Sequence, residues 1–249
     1  LDAWLGHILP ADLYFRTPAS DVVQLAPADQ ARVAALPGVA RVEFSREEQL
    51  LLDPARPRLT LLARPIAEAD APSMLALVGV PTVRPPGAPP PAWVNEAAAD
   101  LYDFTPGRTI VLPLAGREVA FFVAGIYRDY SRPQGAVQIA RDTFIALTGD
   151  RSATNASIRV APGTSAESLR ATIQSALPGG ERLEIALPAE IRALSLKAFD
   201  RTFAVTYALE IAAVVIGLMG LSSAFGALVL ARRREFGVLR HLGMTRRQI

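Results

Sequence analysis

Between Ile211 and Leu230 the sequence reads IAAVVIGLMGLSSAFGALVL, without one charged side chain. As a helix this run is about 30 Å long, the thickness of a bilayer's hydrocarbon core. No other feature constrains the chain as strongly, because a membrane span fixes which parts share a compartment. A helix buried in a soluble core would be shorter or carry a polar stripe, and this one does neither. Arg232, Arg233 and Arg234 follow directly, whereas the other flank holds Asp200, Arg201 and the single acid Glu210. Arginines concentrate on the cytoplasmic side of a span, so the C-terminal end is expected to be cytoplasmic and residues 1 to about 200 to lie outside. Glu210 then falls near the outer interface, where its carboxylate reaches water. Ala213 with Gly217, and Ser222 with Gly226, form two small-xxx-small pairs that permit close approach of another helix.

Charge follows the same division. Residues 1–200 carry 19 basic and 22 acidic side chains, while residues 231–249 carry six arginines against Glu235 alone. The basic character therefore belongs to the tail, unlike a nucleic-acid binder, which spreads arginines over a folded face. With no cysteine and only His7 and His241, a disulfide framework, a thiolate metal site and a histidine-rich metal site are all excluded. The sequence has no phosphate-binding GxxxxGK[ST] loop, GxGxxG, HExxH or GxSxG. The paired acids Glu47 with Glu48, and Asp100 with Asp103, lack a partner base and read as solvated faces. His7 reads as a surface residue near the membrane. Leu1 is no initiator and Ile249 ends in mid-pattern, so we expect a fragment, preceded in the intact protein by a span or signal that delivers the outer region.

The outer region contains an echo. DLYFRT (Asp12 to Thr17) alternates as a strand, Pro27 opens a helix in PADQARVAAL, and LPGVARVEF (Leu36 to Phe44) returns as a strand. Later, NASIRV (Asn155 to Val160) reads as a strand. Thr164 and Glu167 fit a capping box before SLRATIQSAL, and LPGGERLEI (Leu177 to Ile185) returns. Strand, helix, Leu-Pro-Gly, strand thus occurs twice, which predicts two halves of one layer. Duplication or the common helix-stopping use of Pro-Gly would both produce the match. Between the halves, the prolines from Pro81 to Pro91 predict an extended surface loop, followed by a short helix in AWVNEAAADLY. Three β-like runs follow, TIVLPL, REVAFFVAGIY and AVQIA, separated by turns at Ala115-Gly116 and Arg132 to Gly135. From Ala189 to Leu230 only the glycines of the span interrupt helical spacing, so a continuous helical stalk should join the outer region to the membrane.

The stretch LARRREFGVLRHLGMTRRQI, Leu230 to Ile249, resembles the segment after the second membrane helix of FtsX-like ABC transporter permeases, which include the MacB efflux and lipoprotein-releasing permeases. The family pattern is R-[RK]-x-E-[FIL]-G-x-L-[RK]-A-[LI]-G followed by a small residue. Arg233, Glu235, Phe236, Gly237, Leu239, Arg240, Leu242 and Gly243 match it. His241 stands where alanine is usual and Met244 where a small residue is usual. The outer region resembles a MacB-like periplasmic core domain.

The resemblance implies an α+β extracytoplasmic domain, an α/β porter-like layer with an inserted β-rich subdomain, then a helical stalk and one transmembrane helix. Its divisions are a core domain over 1–187 with the insertion at about 55–150, a stalk over 188–210, the transmembrane helix over 211–230 and the start of a cytoplasmic coupling helix over 231–249. It implies a permease subunit, not an enzyme and without a cofactor, in the bacterial inner (cytoplasmic) membrane with residues 1 to about 200 periplasmic and the C-terminus cytoplasmic. Such subunits turn ATP hydrolysis by a separate ATPase into movement of the periplasmic domain, called mechanotransmission, to export or extract lipid, lipoprotein, peptide or drug. The implied partners are the ABC ATPase subunit, a second permease copy or half, the lipid bilayer and, where one is used, a periplasmic adaptor; no nucleic acid is among them. Glu235, Phe236, Gly237, Leu239, Arg240, Leu242 and Gly243 are implied to couple to the ATPase. Phe236, Leu239 and Leu242 also form an apolar ridge at roughly helical spacing, suited to a partner's groove. A basic juxtamembrane helix resting on anionic lipid is the competing reading of the same residues. For the whole chain the alternative is a membrane-anchored extracytoplasmic sensor or receptor.

Overall fold

The structure, a computed structural model, describes residues 11–17, 24–177, 179–180 and 183–232. The chain forms two compact units, Leu1–Ile191 and Arg192–Ile249.

In the first unit, strand β1 (Leu13–Arg16) turns Leu13 and Phe15 into the core while Arg16 faces out. Helix α1 (Pro27–Ala34) starts at a proline, which needs no hydrogen-bond partner there, and buries Val33. Strand β2 (Val39–Leu50) follows, and its first half pairs with the later strand β9 (Asn155–Val160). Helix α5 (Ala166–Ala176) buries Leu169 and Ile173, four residues apart on one face, and leads to the short strand β10 (Glu184–Ala186). These strands lie in the order β10-β1-β9-β2, with every neighbouring pair antiparallel. Two strand-helix-strand segments are thus interleaved in one sheet, the split-βαβ arrangement of ferredoxin-like folds. Leu13, Phe15, Val33, Ile158, Leu169 and Ile173 fill the core between sheet and helices.

The shared Leu-Pro-Gly has a backbone cause. Gly38 (φ 92°) and Gly179 (φ 71°) both adopt the left-handed conformation, which glycine enters without a steric penalty. The predicted capping box does not form. The N-cap of α5 is Ser165 rather than Thr164, so Glu167 falls one position short of the box, and Ser165 makes no side-chain cap bond; the Thr164 side chain lies beside Gly38. A Cβ at Gly38 would lie only 2.7 Å from the Thr164 methyl carbon, so the glycine is needed for space as well as conformation.

The chain between β2 and β9 extends the same sheet. The second half of β2 pairs antiparallel with β3 (Leu59–Arg64), and β8 (Ala136–Ala140) lies parallel to β3. The order continues through β5 (Pro91–Asn95) and β7 (Arg117–Tyr127), with β6 (Thr109–Leu114) and the two-residue β4 (Leu77–Val78) on different parts of β7. Short helices α2 (Ala71–Met74), α3 (Glu96–Tyr102) and α4 (Arg141–Thr148) pack around it. One core gathers Leu59, Leu61, Val94, Val123, Val137 and Phe144, and a smaller one gathers Trp93, Phe122 and Tyr127. The three β-like runs are strands β6, β7 and β8. Ala115 and Gly116 both have positive φ, which suits the tight turn of the β6–β7 hairpin.

AWVNEAAADLY is not one helix. Ala92–Asn95 belong to β5, and the helix begins at Glu96. Trp93 and Val94 are buried in different cores, as the opposite faces of a strand require, and Asn95 then caps α3.

Helix α6 (Pro188–Ala231), one helix of 44 residues, begins within the first unit, and from Arg192 onward it is nearly all of what is described of the second. At its start the Glu190 carboxylate accepts the Leu187 backbone N–H at 3.0 Å and Arg170 Nη1 at 3.0 Å. That backbone hydrogen bond and the Arg170 guanidinium hold the exposed Glu190 below the usual carboxylate range.

Candidate functional site

Glu235, Phe236, Gly237, Leu239, Arg240, Leu242 and Gly243 lie outside the described residues. The membrane-spanning expectation does fall on described chain. Thr206–Ala231, 26 residues within α6 that include an 18-residue stretch of mean hydropathy 2.2, is long and apolar enough to cross a bilayer, and among the described residues nothing buries it. Ile216, Met219 and Leu230 project outward, and a Cβ at Gly217, Gly220 or Gly226 would touch nothing within 4 Å. Exposure of this much apolar surface suits lipid or another helix better than water. Among the described residues, no group of three or more His, Asp or Glu side chains is placed to hold a metal.

In the first unit, polar chemistry concentrates where β2 changes partner. Ser45 pairs with Asn155 of β9, and the next residue, Arg46, pairs with Ala63 of β3. The nearly buried Arg46 binds Asp150 at 3.1 Å through Nε and Glu48 at 3.1 Å through Nη2. Glu47 receives Arg16 of β1 at 2.9 Å and Arg132, from the β7–β8 loop, at 3.3 Å. Its backbone N–H donates to Thr154 Oγ1 at 2.8 Å. The sequence suggested a solvated face for Glu47 and Glu48; instead Glu47 ties β2 to β1 and to the β7–β8 loop, while Glu48 holds the guanidinium of Arg46 within β2. Asp150 is held below the usual carboxylate range: burial works against its charge, but the Ser152 hydrogen bonds and Arg46 outweigh it. Asn155, the first residue of a possible glycosylation sequon, lies in β9 between β1 and β2 with its side-chain amide on Glu47 at 3.4 Å.

Beside this junction lies a cleft of about 420 Å³. Tyr14 of β1, Glu43 of β2 and Ser157 of β9 contribute one wall. Leu62 and Arg64 of β3, Gln138 of β8, the segment Ser73–Ala76, the segment Tyr127–Asp129 and the pair Ser131 and Arg132 contribute the rest. Its charges are unequally matched. Glu43 pairs with Arg41 at 2.7 Å, Asp129 and Glu47 both pair with Arg132, and Arg128 pairs with Glu96 at 3.5 Å. Among the described residues, the Arg64 guanidinium has neither an ion pair nor a hydrogen bond. Burial pulls its pKa below the usual arginine value. Tyr127 and Gln138 are buried, yet among the described residues Tyr127 Oη and Gln138 Nε2 have no hydrogen-bond partner. Burial pushes the Tyr127 and Tyr14 hydroxyls above the usual phenol range, against the pull of nearby arginines, so both stay protonated at neutral pH.

Sequence reasoning passed over these residues. The available signal was Gln138, a lone amide inside the otherwise apolar strand AVQIA, and Arg64, closing the apolar run LTLLA. A buried polar group in such a setting needs a partner.

No family model matches the chain. It is similar to an uncharacterized ABC transporter permease protein of Mycobacterium tuberculosis, with 33% identity over 144 residues, 58% of this chain and 17% of the relative. The chain therefore spans about a sixth of that relative's length. The relative is of the ABC permease class that Leu230–Ile249 resembles. Among solved structures, the chain is similar to the periplasmic region of MacB from Actinobacillus actinomycetemcomitans, with 14% identity and a TM-score of 0.48 over 76% of this chain and 94% of that one. It is also similar to the extracellular domain of the noncanonic ABC-type transporter YknZ from Gram-positive bacteria, with 12% identity and a TM-score of 0.44 over 71% and 99%. At TM-scores below 0.5 neither likeness carries a mechanism.

Proposed function

We propose that this chain is part of the permease subunit of an ABC transporter of the FtsX/MacB type, working with a separate ATPase subunit and a second permease copy or half in the cytoplasmic membrane. The observation that carries the proposal is α6, whose 44 residues run unbroken from Pro188 to Ala231 and include the apolar stretch Thr206–Ala231. Similarity to a permease supports the same reading. An unbroken helix transmits displacement along its axis, whereas a Gly/Ser-rich tether would absorb it. Residues 188–210 act as the stalk, 211–230 as the membrane helix and 231–249 as the start of the coupling helix, with the core domain over 1–187 on the periplasmic side. The coupling helix docks on the ATPase through the apolar ridge Phe236, Leu239 and Leu242. Glu235 and Arg240 orient it, and Gly237 and Gly243 allow close approach. Exposed ion pairs contribute only ~0–1 kcal/mol, so the apolar anchors dominate the docking. Hydrolysis belongs to the ATPase, and this chain supplies movement rather than chemistry. Lipid, lipoprotein, peptide or drug is the class of cargo, with an adaptor serving where export crosses the periplasm.

The test uses the full-length permease with its ATPase. Phe236→Ala and Leu239→Ala are expected to leave membrane insertion intact while uncoupling ATP hydrolysis from transport. If both variants copurify with the ATPase and transport normally, while loss of the arginines alone abolishes function in a salt-sensitive way, the segment is a lipid anchor and the coupling assignment fails.

A further inference from the structure

The cleft beside the β2 crossover has the wrong balance of polar groups for an empty space. Its carboxylates are occupied: Glu43 by Arg41, and Asp129 by Arg132 and by the Ser131 N–H and hydroxyl. What remains is a set of donors. Among the described residues, Arg64 brings a guanidinium without a counter-ion, and Tyr127 Oη and Gln138 Nε2 are buried without a partner. Tyr14 Oη accepts the Ala11 N–H at 2.8 Å, which leaves its hydroxyl hydrogen to give. A buried donor left unpaired is destabilising, and several on one cleft are offset by a single ligand that brings acceptors. An oxyanion does so, since it accepts from a guanidinium, a phenol and an amide at once and balances the charge. The rest of the wall is apolar, with Leu62 and Leu75 buried and Met74 partly exposed. A cleft of about 420 Å³ is large enough for a small organic molecule and larger than an inorganic anion needs.

We propose that this cleft binds a small amphiphile carrying a carboxylate or phosphate group, its oxyanion held by Arg64, Tyr127 and Gln138 and its apolar body lying against Leu62, Met74 and Leu75. The site does not depend on the transporter reading; it would serve a transporter's cargo or a receptor's signal equally. The ligand is either a soluble molecule or the headgroup end of a membrane lipid, and both present the same chemistry to the cleft.

The probe is hexyl phosphate, titrated calorimetrically into the full chain held in phosphatidylcholine nanodiscs, with hexanol and inorganic phosphate as its separated halves. Saturable binding is expected, with each half at least about tenfold weaker than the whole. Arg64→Gln should weaken binding by about tenfold or more, as for loss of a charged hydrogen-bond donor, and Tyr127→Phe by severalfold. Arg170→Gln, remote from the cleft, should bind as the parent does. Tyr127→Phe keeps the test decisive if Arg64→Gln fails to fold. It deletes a hydroxyl that has no partner, so it should unfold no earlier than the parent while binding less well, a combination that a purely structural residue does not give. Adding phosphatidylglycerol to the nanodiscs separates the sources: competition with hexyl phosphate identifies a lipid headgroup, and undiminished binding identifies a soluble ligand. The proposal is overturned if hexyl phosphate does not bind saturably, if inorganic phosphate binds as tightly, or if Tyr127→Phe binds as the parent does.

Discussion

Asn95 is completely buried where β5 gives way to α3, and its side chain makes three hydrogen bonds. Oδ1 accepts the Ala98 N–H at 2.9 Å, capping α3, and also the Ala136 N–H at 2.8 Å. Nδ2 donates to the Arg132 carbonyl at 2.9 Å. Asn95→Ala removes all three. Loss of the cap costs about 1 kcal/mol. The Ala136 amide, in a fully buried residue, loses its partner at about 1–3 kcal/mol, and the bond to Arg132 contributes about 1 kcal/mol. The expected destabilisation is therefore about 3–5 kcal/mol, a large part of the ~5–15 kcal/mol available to an ordinary domain. Urea unfolding of the full chain in detergent, followed by Trp93 emission in a Trp4→Phe background, measures it. Asn95→Asp refines the test. It retains both acceptor contacts but turns a buried carboxylate toward the Arg132 carbonyl, so it should be destabilising at neutral pH and less so in mild acid, where the protonated form can donate. A loss below about 1.5 kcal/mol for Asn95→Ala, or an Asn95→Asp variant as stable as the parent at neutral pH, would refute the assignment of these bonds as the support for the β7–β8 loop.

Two further expectations concern acid sensitivity and topology. Because the folded pKa of Asp150 is depressed, its contribution to stability is complete above the unfolded carboxylate value of about 4 and disappears as pH falls through the folded one; the Asp150→Asn variant should lose less stability across that range than the parent in parallel denaturant titrations. In intact cells making the full-length protein, an impermeant thiol reagent should label Ser165→Cys and spare Thr245→Cys, and the reverse pattern would invert the proposed orientation.

The sequence was most readable where local rules and burial agree. β6, β7 and β8 alternate or run apolar and are closed by glycine turns, and α1 and α5 bring Val33, Leu169 and Ile173 to one face each. It was least readable where a polar residue is satisfied by something distant. Glu47 and Glu48 read as a solvated face, yet with Arg46 they lie in β2, where Asp150 meets Arg46 from 104 residues away and Arg16 and Arg132 meet Glu47 from 31 and 85. AWVNEAAADLY misled because its alanines favour helix while Trp93 and Val94 are placed by tertiary packing on two faces of a sheet. The cleft was hidden for the same reason: Gln138 and Arg64 stand out singly as polar residues in apolar strands, but only the sheet order β2-β3-β8-β5-β7 gathers them with Tyr127. The Glu235–Gly243 motif has the opposite character, legible in sequence and outside the described residues.

The same long-range pairing explains how about a hundred residues can separate two adjacent strands without disrupting them. The intervening chain leaves β2 and returns to β9 at one rung, Ser45 opposite Asn155, where the Thr154 N–H donates to the Ser45 carbonyl at 2.9 Å. Its two ends are therefore already adjacent, as the ends of a hairpin loop would be, and lengthening such a loop adds closure entropy only logarithmically, ~0.6 kcal/mol per doubling. A hairpin loop would leave the intervening chain free to move. Here β2 does not stop at the rung: Arg46 to Leu50 continue as a strand and pair with β3, so a single backbone serves both parts of the sheet. Arg46–Asp150 and Glu47–Arg132 then cross the junction on either side of that strand. Movement of one part against the other must bend β2 or break these pairs. The cleft lies beside that crossover, and its unmatched donors Arg64, Tyr127 and Gln138 all come from the intervening chain, whereas Tyr14, Glu43 and Ser157 on its other wall come from β1, β2 and β9.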